Sequence, residues 1–242
     1  IRLFYAPILI VIFCIIGFLF FKKIFFLIFF AANMYHVTRQ SLGICKLYKK
    51  SDNQVSLDEN LIYIFNILFF IIGFFRFFYP VIEGGSIFIL NLTVIVLILV
   101  CVFYSGAKYG FKSNLFTLFS GIIIFYPLCF VDSPVHAILM GVTMHYSQYL
   151  TLIFKINDNK INHYSGAKNK NKFFSKFLLI VVAYSIIMTG LSYFGKSDLE
   201  FIKLLILIPI IGQMLHFFID SQIWKFSDSY IRENVLQYLF KK

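Results

Sequence analysis

Acidic residues are scarce in this chain: 11 Asp and Glu stand against 22 Lys and Arg in 242 residues, and charged residues of both signs total only 14%. A soluble domain carries about a quarter, so too few groups remain to hold a folded surface in water. Cysteine is almost as thin. Cys14, Cys45, Cys101 and Cys129 lie far apart and form no Cys-x-x-Cys pair, which removes the usual zinc-ribbon and thiol-exchange readings and leaves small apolar residues. There is no Gly-x-Gly-x-x-Gly, no Walker loop, no His-Glu-x-x-His, no Gly-x-Ser-x-Gly and no Asp-Asp-x-x-Asp. Nucleotide hydrolysis, zinc proteolysis and serine hydrolysis therefore lack their sequence support.

What the chain has is grease: 60% hydrophobic residues, 33 of them Phe. Apolar runs of the length needed to cross a hydrocarbon core of roughly 30 Å recur from end to end. Candidate spans are 3–21, 24–43, 61–82, 86–104, 115–131, 134–156, 177–194 and 201–226. The expected fold is an all-α polytopic transmembrane bundle of about eight spans over residues 1–226. Residues 3–21 are followed by Lys22, Lys23 and another apolar run, not by a small-residue cleavage site, and read as a helix rather than a signal peptide. With so short a connection, 3–43 is expected to be a hairpin, the other option being one long bent helix. Residues 227–242 place Tyr230, Ile231, Val235, Leu236, Leu239 and Phe240 at near-helical spacing, as expected of an amphipathic interfacial tail.

A net charge of +11 could point to nucleic acid, but the basic residues sit mainly in short connections rather than on one amphipathic face. If the spans alternate, Lys46, Lys49, Lys50, Lys108, Lys112 and the lysines of 160–176 share a side with Arg2, Lys241 and Lys242. The positive-inside rule makes that side cytoplasmic.

Polar residues inside greasy spans are costly and usually functional. His36, His145 and His216 fall in the second, sixth and eighth spans. They precede Lys46, Lys155 and Lys225 by ten, ten and nine residues, about 14–15 Å at the helical rise, so all three are expected at one depth. Each has polar company on its own helix face: Arg39 and Gln40 beside His36, Gln148 and Tyr149 beside His145, Gln213 and Asp220 beside His216. Imidazole is the commonest metal ligand, and a carboxylate one turn away completes a site or orients a ring. The expected ligands are His36, His145, His216 and Asp220. Asp220 and Tyr149 are the candidate catalytic groups, and Arg39, Gln40, Gln148 and Gln213 are outer hydrogen-bond partners. Arg39 has three open roles: neutralising Asp220, binding an anionic head group, or reaching to the interface. The plain alternative for each stripe is interhelical hydrogen bonding. His136 with Asp132 forms a weaker candidate site at the outer surface, His163 sits in a Lys/Asn-rich loop, and Arg76 reads as an interface anchor.

Single histidines on several spans, ending in His216-x-x-x-Asp220, resemble the Brp/Blh-type membrane carotenoid oxygenases at the level of architecture. No His-Gly-x-x-Asp motif accompanies them. The resemblance implies an iron centre held by histidines and oxidative cleavage of an isoprenoid chain. The reading is therefore a His-ligated, metal-dependent membrane oxidoreductase acting on a lipid-soluble substrate. Non-haem iron is the expected cofactor, with haem or copper as the other options, and the bilayer and an apolar substrate are the expected partners. The rivals are a transporter or channel lined by His, Gln and Asp, and a non-catalytic subunit of a membrane complex.

Overall fold

The computed structural model describes residues 2–51, 60–80, 84–110, 113–131, 134–164, 170–194, 204–224 and 229–239, and among these there are helices and turns but no strand. The principal helices are α1 Arg2–Phe20, α2 Lys22–Ser51, α3 Asn60–Gly73, α4 Gly84–Tyr109, α5 Ser113–Ile123, α6 Pro134–Tyr164, α7 Lys170–Phe194 and α8 Leu207–Ile223. The order matches the apolar runs, but the span count does not carry over whole. Among the described residues four stretches are long and apolar enough to cross a membrane: Asn60–Phe78, Ser86–Lys108, Phe173–Leu191 and Leu204–Ile223. Phe4–Phe20 and Leu115–Cys129 are apolar but shorter. Helices α2 and α6 have the length, but the polar residues around His36 and His145 dilute their apolarity. In the expected tail, residues 229–239 are helical throughout, with a π-helical turn at Arg232–Leu236 between Ser229–Ile231 and Gln237–Leu239, while the rest of 227–242 lies outside the described residues.

The chain divides into two compact units, residues 27–149 and residues 1–26 with 150–242. In the first, Phe30, Phe69, Ile72, Leu118, Ile122, Phe125 and Leu128 form a buried core, with α3 and α4 packed on α5. Helix α5 stops at Ile123 and resumes only as a 3₁₀ turn, Tyr126–Cys129, holding Pro127. Proline has no N–H and cannot close the helical ladder, so carbonyls are freed in a dry interior where each must find a donor. Side chains from neighbouring elements supply them. Asn66 Nδ2 donates to the Gly121 carbonyl at 2.9 Å, Arg76 to Leu128 at 2.8 Å, and Asn91 to Cys129. Arg76 is thus turned inward onto the broken helix, in place of the expected role as interface anchor.

In the second unit α1 packs along α8. The chain turns a corner at Phe21, although Phe21 N–H still bonds Gly17 and Phe25 N–H still bonds Phe21. Phe13 and Phe25 would stand about 18 Å apart on a straight helix, yet their ring centroids are 5.9 Å apart. Gly17 makes the fold-back possible, because a Cβ there would meet the Phe25 ring at 2.6 Å. Phe154 on α6 anchors α7 through Phe173, Phe174 and Phe177, at 6.1, 5.6 and 5.9 Å. Beyond that anchor α7 buries none of Phe173–Leu191, as befits a lipid-facing helix. Asn159 donates to the Tyr238 carbonyl at 2.6 Å, and Tyr238 is buried. Trp224 closes α8 by donating its N–H to the Asp220 carbonyl at 3.0 Å.

Candidate metal centre

Within residues 27–149, α2 and α6 bring two imidazoles together. The His36 and His145 rings meet edge to face at 5.5 Å between centroids, and His145 is 0% exposed. A close approach one turn earlier on α6 accompanies this: a Cβ on Gly141 would sit 2.5 Å from the Phe125 ring, so only glycine lets α6 lie against the end of α5. The Tyr149 ring is 6.2 Å from His145.

Gln148 is clamped rather than loose. Its Nε2 donates to Ser120 Oγ at 3.0 Å, and its Oε1 accepts from Ser41 Oγ at 3.5 Å. Ser120 passes its own hydroxyl on to the Thr117 carbonyl at 3.0 Å. One amide therefore ties α6 to α2 and α5, three residues from His145. The sequence reading missed Ser41 and Ser120, and also Asn33, which is buried and bonds the Phe29 carbonyl at 2.7 Å. Gln40 is half-buried. Arg39 is exposed, its Nη1 donating to the Tyr35 hydroxyl at 3.2 Å with the guanidinium 5.7 Å from that ring.

Within the other unit, His216 and Asp220 face each other one turn apart on α8, Nε2 to Oδ2 3.3 Å. Asp220 is only 3% exposed. A buried carboxylate is tolerated where a cation, a metal or several donors compensate its lost hydration. Gln213 is half-buried on the same helix. Asp132 and the side chains of His136 and His163 lie outside the described residues.

His36 and His145 in one unit and His216 and Asp220 in the other make up, among the described residues, a group that could hold a metal ion. Its chemistry is three imidazole nitrogens and one carboxylate oxygen, the donor mixture of first-row transition ions rather than of calcium or magnesium. No protein-family model, curated protein or solved structure matches the chain.

Proposed function

We propose that this chain is a membrane-embedded metalloprotein whose ion is held by His36, His145, His216 and Asp220, and that it oxidises a lipid-soluble substrate. The observation that carries the reading is the pairing of ligand-type side chains within each unit, His36 with His145 at 5.5 Å between ring centroids and His216 with Asp220 at 3.3 Å, four residues that could hold an ion together. Iron is the metal we favour, because an open nitrogen and carboxylate set is the environment of non-haem iron. Bound there, it would supply activation of dioxygen.

The chain's own residues do the rest. Asp220 orients the His216 ring through its contact with Nε2, or binds the ion directly. Gln148, held by Ser41 and Ser120, fixes the helix that presents His145. Tyr149 stands beside that ring as the group placed to contact substrate or hand over a proton. Surrounding apolar side chains exclude water from the site and admit a hydrocarbon. A transport reading would draw on the broken α5, but the freed carbonyls of Gly121, Leu128 and Cys129 are already taken by side chains.

Metal analysis of protein purified in a neutral detergent tests the proposal. One equivalent of a first-row transition metal is expected in the native protein, with loss in His145→Ala and His216→Ala. Metal content no higher than in a His36→Ala/His145→Ala/His216→Ala variant defeats it.

A further inference from the structure

Arg39 sits on α2 between two lysine-marked ends, sixteen residues beyond Lys23 and seven before Lys46. Those seven residues are about 10 Å of helix. A cation at such a position ordinarily stretches its stem toward the nearer interface, here the Lys46 end. Arg39 does the opposite. Its guanidinium is drawn back one turn to the Tyr35 hydroxyl at 3.2 Å and lies by the Tyr35 ring at 5.7 Å, which carries the charge toward the level of His36.

Both residues are exposed, Tyr35 at 61%, so the pair lies on the outer surface of α2. Among the described residues no carboxylate pairs with Arg39. A charge in a greasy surface without a counter-ion is expensive. A guanidinium presents five N–H donors in a planar fork that matches carboxylate and phosphate oxygens, and Tyr35 takes only one of them. The tyrosine hydroxyl, itself a donor as well as an acceptor, can add a further bond to the same anion.

We infer that Arg39 and Tyr35 form a receptor for the anionic head group, carboxylate or phosphate, of a single-chain amphiphile whose hydrocarbon lies along α2 past His36. Side chains three residues apart on a helix have Cβ atoms about 5–6 Å apart, so a head group on Arg39 sets the first carbons of the chain beside His36. The inference deepens the proposed function by naming an acidic amphiphile as substrate, and it rests on that reading only for what happens to the chain once bound.

The experiment is retention of dodecyl phosphate, oleate or uncharged dodecanol by protein in neutral detergent, read by native mass spectrometry. The variants are Arg39→Gln and Tyr35→Phe, with thermal unfolding confirming that each is folded. Native protein is expected to retain dodecyl phosphate and oleate but not dodecanol. Arg39→Gln should weaken retention at least tenfold, the equivalent of a charge-assisted hydrogen bond at roughly 1.5 kcal/mol or more, and Tyr35→Phe should fall between. Inorganic phosphate should not displace the amphiphiles. Equal retention by Arg39→Gln, equal retention of dodecanol, or displacement by inorganic phosphate, which would mark a site for a soluble anion, overturns the inference. Metal content is read in the same samples before and after chelation. Arg39-dependent retention by protein that carries no metal before chelation defeats the metal reading alone, whereas metal-loaded protein without such retention defeats the head-group site alone.

Discussion

At the scale of single residues, Asp220 discriminates between the two roles open to it. Asp220→Asn keeps the shape and removes the charge. An orienting carboxylate lost in this way costs about 10–100-fold in metal affinity, measured by competition with a chelator, and a larger fall marks a direct ligand. Gln148→Leu is expected to lower metal affinity over the same range, because the amide joining Ser41 and Ser120 no longer fixes α6. Unchanged affinity in Gln148→Leu reduces that residue to packing. These centres were legible in the sequence because a histidine or a carboxylate in an apolar run is conspicuous. Ser41, Ser120 and Asn33 were not. Small polar side chains on helices commonly bond the preceding turn, as Asn33 and Ser120 in fact do, so nothing in their spacing announces a partner on another helix.

At the scale of elements, the interruption of α5 and the approach at Gly141 make the sharpest predictions. Arg76→Met leaves the Leu128 carbonyl without its donor in the core, and Asn91→Ala does the same to Cys129. Each is expected to cost about 1–3 kcal/mol, seen as a lower thermal midpoint in detergent, whereas the exposed Arg39→Gln should leave that midpoint nearly unchanged. Gly141→Ala must push aside a fully buried Phe125 ring, and both the midpoint and metal loading through His145 should fall. A Gly141→Ala protein with native stability and loading would show that α6 has slack there. Pro127 signalled a break, but a run that is apolar on both sides of a proline still reads as one span, and the asparagines that mend it lie 55 and 38 residues away. The corner falls at Phe21, and Lys22 and Lys23, expected to be the connection, begin α2 instead. What sequence could not supply was what lets the chain bend there: Phe25 lies over Gly17.

At the scale of the molecule, apolar content located the helices, and four of the eight expected spans are long and apolar enough to cross a membrane among the described residues. The arrangement of lysines predicts sidedness. In a background lacking the four native cysteines, Lys108→Cys and Lys160→Cys should react with a membrane-impermeant maleimide only from the cytoplasmic side. Tyr79→Cys should react only from the opposite face. Labelling of Lys108→Cys from outside would invert the topology. The close of α8 has a practical consequence. Trp224 is the only tryptophan in the chain, and it caps the helix one turn beyond Asp220. If a paramagnetic ion is held at that carboxylate, as proposed, indole emission is expected to fall on loading, an optical readout that needs no label.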